Sequence, residues 1–261
     1  MKIYLTKINE SWIIDRIKNE WTTYNKKITT KNPYFSEIIW DIAPWASKPT
    51  FIKKFKNKKI IQSIYHIENT LPEGREVKNI IENDNYIDGY HVISKKTKEV
   101  LQNYTKKTIF YLPLWVNQDI WYNKSNRDEL RTNFGFTSSD YLVGSFQRDT
   151  EGTDLTSPKL VKGPDIFIKI VKNLYKKNNK LIVVLTGKRR DYVISELKIN
   201  NIPYRYFEMT NFSMMNDLYN ILDLYLITSR LEGGPQALVE CGQTRTPVIS
   251  TDVGIAREIL G

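Results

Sequence analysis

The run SRLEGGPQALVECGQTRTPVISTDVG, residues 229–254, constrains the fold more than any other part of the chain. It reads strand, glycine loop, helix, turn, strand. DLYLITS (223–229) is one apolar strand, PVIST (247–251) is a second, and a helix must lie between them. Two strands joined through a helix form a βαβ unit, which requires a parallel sheet with a right-handed crossover. Ligands of such sheets sit at the carboxyl ends of the strands.

The glycine loop itself points to chemistry. A helix N-terminus carries unsatisfied N–H groups and the positive end of the helix dipole, and therefore attracts anions. Gly233 and Gly234 allow a phosphate to approach the main chain, and Pro235 suits the first helical position, where no N–H is needed. Gln236 and Ala237 supply N–H groups of the first turn. Glu240 falls about one and a half turns into the helix, where a carboxylate can accept hydrogen bonds from sugar hydroxyls. Phosphate donors beside a hydroxyl acceptor fit a nucleotide sugar.

This segment resembles the donor-site signature of retaining glycosyltransferases of family 4. That signature is a Glu, seven intervening residues and a second Glu, followed by a CG-x-PV-x-x-x-DVGG-like run. Here the matching residues are Glu232, Gly233, Gly234, Pro235 and Glu240, then Cys241, Gly242, Pro247, Val248, Asp252, Val253 and Gly254. The spacing between Gly242 and Pro247 is longer than in that run, and Ile255 replaces a second glycine. The resemblance covers roughly residues 58–261, where TIFYLPLWVN resembles the family's I-P-N-G-V-D segment through Pro113, Val116 and Asn117. It implies an α/β GT-B fold, two Rossmann-like domains facing a cleft. The expected division is an acceptor-side domain over 1–122, reduced in size, and a donor domain over 123–261. Members carry a Gly-Gly loop after the first strand, whereas LTKINESW has none. They also continue beyond the position of Gly261, so the chain is expected to be a fragment or to close differently.

The alternation along the chain agrees. Strands are expected at KIYLT, EIIWDIAP, 58–67 and 89–94, with TIFYLPLWVN ending the first half, then at 141–146, 180–187 and 204–207. Helices are expected from a Ser11 cap to Tyr24, and over 95–103, 164–177 and 213–222, with another ending at Leu197.

The resemblance also assigns roles. Departure of a nucleoside diphosphate places new charge on phosphate, which protein cations and helix dipoles can stabilise. Arg148, after a strand end in GSFQRD, and Lys162, in VKGPD, resemble the family's diphosphate clamp, with Lys159 a rival for the second place. Fourteen positions separate Arg148 from Lys162, so residues 149–161 hold an insertion, either a lid or a surface excursion. His66 resembles the histidine facing the donor sugar, with Glu68 a weaker neighbouring candidate, and His91 reads as structural. Glu232 is expected at the sugar hydroxyls and Glu240 at the ribose. No Asp-x-Asp sequence is present, so metal-free, cofactor-free transfer with retention is expected, to a glycan or lipid-linked acceptor. Two other readings remain open: a GT-B sugar-nucleotide epimerase, and a non-catalytic nucleotide-sugar-binding remnant.

Composition narrows the setting. The net charge is +10, and FIKKFKNKKI (51–60) concentrates five lysines from Lys53 to Lys59 among aromatics. This run is either a face for an anionic membrane or a solvated surface. No nucleic-acid-binding module accompanies the charge, so nucleic acid is not an expected partner. One cysteine, Cys241, excludes an internal disulfide framework. With no signal-peptide pattern at the start, the expected location is cytoplasmic, peripheral at the inner membrane face if the lysines bind lipid.

Overall fold

A computed structural model describes residues 1–6, 13–68 and 74–261. The chain divides into two compact units, Met1–Trp115 and Val116–Gly261. This division falls before the 122/123 point drawn from the sequence. Trp121 is fully buried in the second unit's core with Leu130, Phe136 and Tyr219, so the segment ahead of it belongs to that unit.

The first unit contains β1 (Ile3–Leu5), α1 (Ile13–Tyr24), β2 (Ile38–Asp41), α2 (Pro49–Lys54), β3 (Lys59–Ile64), α3 (Arg75–Asn83), β4 (Gly89–Val92), α4 (Lys95–Leu101) and β5 (Thr108–Tyr111). Its strands are parallel in the order β1-β2-β3-β4-β5. After α1 the chain first passes the outer side of β1, where Ile3 bridges Thr29, before returning to β2. That reversal puts α1 on the opposite face from the later helices, because right-handed crossovers in opposite directions cover opposite faces. Two cores result. Ile14 and Ile17 pack with Leu5, Trp40 and Leu114 on one side. Ile52, Val77, Ile80 and Leu101 pack with Ile39, Ile60 and Tyr90 on the other. The Ser11 cap expected for α1 lies outside the described residues.

The second unit contains α5 (Arg127–Asn133), β6 (Tyr141–Ser145), α6 (Pro164–Lys177), β7 (Leu181–Thr186), α7 (Asp191–Ile199), β8 (Tyr204–Phe207), α8 (Phe212–Ile221), β9 (Leu224–Ile227), α9 (Gln236–Thr244), β10 (Val248–Ser250) and α10 (Ala256–Leu260). All its strands are parallel, in the order β10-β9-β6-β7-β8. The chain winds outward from β6 to β8, returns to β9 on the other side of β6, and ends at β10. Helices α6 and α7 therefore cover one face, with Phe167, Val171, Val193 and Leu197 in its core. Helices α8 and α9 cover the other through Leu218, Tyr219, Leu238 and Cys241. The order reverses between β6 and β9, which makes that junction the switch point where open α/β sheets bind ligands.

The aromatics of the basic run belong to the core rather than to a surface stripe. Phe55 is buried, and Phe51 packs against the same cluster. Lys53, Lys54, Lys56 and Lys59 are exposed, and Lys54 lies 5.3 Å from the centre of the Tyr34 ring. Among the described residues, no helix is long and apolar enough to cross a membrane.

Candidate functional site

The carboxyl ends of β6 and β9 lie side by side at the switch point, and the predicted donor residues gather there. Gln147 follows β6, and its Oε1 is 3.1 Å from Ser229 Oγ, just after β9. The same Ser229 hydroxyl is 2.9 Å from Glu232 Oε1, and its single proton can serve only one of these acceptors at a time. Gln147 Nε2 donates to the carbonyl of Lys162 at 2.7 Å. The Lys162 ammonium is ion-paired with Glu232 Oε1, both side chains being largely buried. Two predicted residues seventy positions apart in sequence thus meet.

Backbone geometry holds this arrangement. Leu160–Lys162 form a single 3₁₀ turn, followed by Gly163 in the left-handed region at φ 64° and Pro164 at the start of α6. Proline supplies the fixed φ that suits a first helical residue. The turn docks on the loop after β9, since Arg230 N donates to the Val161 carbonyl at 2.8 Å. Arg230 also binds Asp165 through two hydrogen bonds of 2.8 and 2.6 Å. On the far side, Gly254 adopts φ +51°, and a Cβ there would fall 2.2 Å from the carbonyl oxygen of Gly233. The DVG turn after β10 therefore presses directly against the glycine loop.

Pro235 is placed differently from the expectation. Its φ of −58° is helical but its ψ of 112° is not, so it caps α9, and the helix begins at Gln236. The proline ring fixes φ and leaves ψ to the loop. Gly234, Gln236 and Ala237 are partly buried around this cap, and Gly233 is buried. Glu240 is only 4% exposed, and its Oε2 accepts a 2.9 Å hydrogen bond from the Tyr219 hydroxyl. Burial raises the Tyr219 hydroxyl well above the usual phenol range, which keeps it a donor.

Arg148 is half-buried, and its Nε donates to the Thr150 carbonyl at 2.9 Å. Lys159 lies in the same electrostatic neighbourhood: burial lowers its pKa first, and the charges of Arg148 and Lys162 lower it further. Both lysines considered for the clamp are thus grouped with Arg148. The 149–161 segment is anchored at its base, where Thr150 bridges Pro158 and Lys159 N donates to the Asp149 carbonyl at 2.8 Å. Residues 151–157 form its exposed tip.

Beneath this base lies a feature that sequence pattern did not reveal. Asp149 and Arg190 form a 3.0 Å ion pair at 2% and 1% side-chain exposure. Burial pushes the Asp149 carboxyl up to about 6, while the Arg190 charge pulls it down. Gln147, Ser229 and Arg230 were missed for a related reason. Each flanks a strand end, but only the strand order brings those ends together.

His66 belongs to the first unit, two residues beyond β3, and is exposed at the rim of a cavity in that unit. Glu68 is exposed two residues further on. His91 is structural. Its Nδ1 is 2.8 Å from Ser63 Oγ and its Nε2 is 2.9 Å from the Leu112 carbonyl, while burial lowers its pKa. Among the described residues, no group of three or more His, Cys, Asp or Glu is placed to hold a metal ion.

Comparison with known proteins agrees with this architecture. Residues 157–261 match the family model of glycosyl transferases group 1. No curated protein matches the sequence. Among solved structures, Anabaena HepE in complex with UDP-glucose is similar over 98% of this chain and 81% of its own, with TM-score 0.75 and 12% identity. Sucrose-phosphate synthase from Thermosynechococcus elongatus is similar over 97% of this chain and 64% of its own, with TM-score 0.68 and 12% identity. A glycosyltransferase from Rickettsia africae is similar over 97% of this chain and 66% of its own, with TM-score 0.64 and 15% identity. The fold is that of GT-B glycosyltransferases.

Proposed function

We propose that the chain is a glycosyltransferase that takes a sugar from a nucleotide-sugar donor and passes it, with retention and without a metal, to a glycan or lipid-linked acceptor. One observation carries this reading: the Lys162–Glu232 pair stands at the β6/β9 switch point, beside the N-terminus of α9. Cations, a helix dipole and a hydroxyl acceptor there offer what a sugar diphosphate needs. The match of residues 157–261 to glycosyl transferases group 1 supports it. So does the likeness to HepE, solved with UDP-glucose, which makes a UDP-sugar the first donor to test.

In this reading Arg148 and Lys162 hold the diphosphate, with Lys159 adding to the local positive potential. An ammonium has three donors, so Lys162 can keep Glu232 and still bind a phosphate oxygen. Gly233, Gly234, Pro235, Gln236 and Ala237 bring the start of α9 to the phosphates. Glu232 meets the sugar hydroxyls, Glu240 the ribose, and His66 the donor sugar. The bond between the anomeric carbon and phosphate breaks as the acceptor oxygen bonds to that carbon on the same face. The acceptor's proton passes to the departing phosphate oxygen. The exposed lysines between Lys53 and Lys59 favour an anionic membrane surface, on the cytoplasmic side, as the place of work.

A panel of UDP-, GDP- and ADP-sugars, incubated with the protein with and without crude membrane lipid, tests the proposal. Free nucleotide released from one donor, and increased by lipid, is the expected result. Isomerised donor without acceptor would identify an epimerase. Donor binding with neither product would identify a binding-only remnant.

A further inference from the structure

Arg190 lies where the chain passes from β7 to α7, and with its side chain 1% exposed it is closed off from any ligand. We infer that it acts at one remove: through Asp149, Arg190 is the positioning residue that holds Arg148, Lys159 and Lys162 in place for a nucleoside diphosphate. The inference deepens the glycosyl-transfer reading and rests on it for the ligand.

Asp149 is the point from which these cations hang. Arg148 precedes it in the chain, and Arg148 Nε donates to the carbonyl of Thr150, the residue after it, at 2.9 Å. The Asp149 carbonyl accepts from Lys159 N at 2.8 Å, and the Lys159 carbonyl accepts from Lys162 N at 2.8 Å. A shift of Asp149 therefore moves the backbone of Arg148, Lys159 and Lys162 together.

The loop between β7 and α7 fixes Asp149 in turn. Its carboxylate lies 3.0 Å from Arg190 Nε, and its N–H donates to the Arg189 carbonyl at 3.0 Å. Burial raises the carboxyl's pKa, while the Arg190 charge and then the N–H groups of Val193 and Tyr192 lower it, which sets the carboxylate against the first turn of α7. The backbone beside the pair is strained. Arg189 has φ 59°, in the left-handed region that a residue with a β-carbon avoids. Such strain persists only where the surroundings over-determine it. Here the Thr150 hydroxyl joins Asp149 N at the Arg189 carbonyl, and Arg189 Nη1 donates to the Gly152 carbonyl at 3.1 Å.

Stability alone does not call for this arrangement, because well-packed apolar residues stabilise a core as well as a buried ion pair does. The pair supplies direction instead. It locks the chain leaving β6 onto the chain leaving β7, and ligand-holding groups need that kind of support from behind.

The test uses the full chain and four variants: Arg190→Met, Arg190→Lys, Asp149→Asn, and Arg190→Met combined with Asp149→Asn. Circular dichroism checks folding. Amide hydrogen exchange at Asp149, Lys159 and Lys162, affinity for UDP, GDP and ADP, and donor turnover are read together. Arg190→Met should speed exchange at these amides about tenfold, while β9 keeps its parental rate. It should weaken the preferred nucleotide, and lower kcat/KM for the matching sugar donor, by about 10–100-fold, the scale set by a misplacement of about 1 Å. Asp149→Asn should act in the same direction. Arg190→Lys keeps the charge and should recover most of both losses. The double variant, with a neutral pair, should recover stability without recovering affinity or turnover, which separates positioning from folding. Parental affinity and kcat/KM in folded Arg190→Met or in the double variant would overturn the inference and leave the transferase reading standing. Unchanged exchange at the named amides would overturn it too. Nucleotide binding that responds to Arg190 in a protein that transfers no sugar would sink the transferase reading and leave this one standing. A parent protein that binds none of the nucleotides would overturn both.

Discussion

Gly163 and Thr228 approach so closely that a β-carbon on the glycine would lie 1.8 Å from the threonine's carbonyl oxygen. The Thr228 hydroxyl in turn donates to the Gly163 carbonyl at 2.8 Å. This contact joins the chain leaving β6 to the chain leaving β9. Gly163→Ala should therefore separate the two strand ends, and its left-handed φ adds strain of about 1–3 kcal/mol. Gly254→Ala should act similarly from the other side of the glycine loop. Differential scanning calorimetry should record a lowered Tm for both, by about 2–4 °C for each kcal/mol lost. A wild-type Tm in either would show that the backbone is less tightly constrained than described.

The Lys162–Glu232 pair makes a kinetic prediction. Lys162→Met should reduce kcat/KM for the donor by about 10²–10³-fold, the usual scale for one preorganised group facing developing charge. Glu232→Gln keeps the shape and removes the charge, and should lower kcat with less effect on folding. Donor turnover and circular dichroism, measured together, separate these effects from unfolding. Wild-type turnover in Lys162→Met would exclude Lys162 from the clamp.

Arg190 and Asp149 are buried together, and removing one partner leaves a charge without compensation. Arg190→Met should destabilise the protein by about 3–5 kcal/mol, while Arg190→Met with Asp149→Asn should recover part of that loss. Urea denaturation of the two single variants and the double variant provides the comparison. Additive losses would show that the pair is not coupled.

His91 predicts how the first unit responds to acid. The Trp40 indole donates to Ser63 Oγ at 2.9 Å, Ser63 donates to His91 Nδ1, and His91 Nε2–H donates to the Leu112 carbonyl. A protonated imidazole would turn Nδ1 into a second donor facing Ser63, whose oxygen already accepts from Trp40. The folded pKa lies below the unfolded value of about 6.5, so this group's stabilisation is complete above that value and is lost as pH falls through the folded pKa. Tm measured from pH 8 downward should decline below about 6.5, and His91→Gln should flatten that part of the curve. Equal slopes in both proteins would assign the acid sensitivity elsewhere.

The exposed lysines of the basic run predict lipid binding. Replacing Lys53, Lys54, Lys56 and Lys59 with Gln should weaken partition onto phosphatidylserine vesicles by about fivefold per charge, from roughly 1 kcal/mol each. Cosedimentation at low and high salt would measure it. Salt-insensitive binding, or none in the parent protein, would make the run a solvated face.

Much of the fold was legible because each strand and helix carries its own period. The helix over 164–177 matches α6, and 204–207 matches β8. The Glu232–Gly234 loop was legible from its glycines and its place between two strands. Sheet order was not, because nothing local to β6 records that β9 will pair beside it. Gln147, Ser229 and Thr228 therefore stayed hidden. The Phe51 and Phe55 rings were misleading for the opposite reason: on α2 and the turn after it, alternation with lysine marks a core face and a solvent face.

The stitching of β6 to β9 has a consequence for how the protein is made. Gln147 and Ser229 are 82 residues apart, and Gly163 and Thr228 are 65 apart. Closing loops of that length delays contacts relative to local helix and turn formation. The loops that meet at the β6/β9 junction are then among the last parts of the second unit to assemble. A nascent chain that has not yet emitted β9 has every local element up to α8 but lacks the strand end that completes the β6/β9 junction.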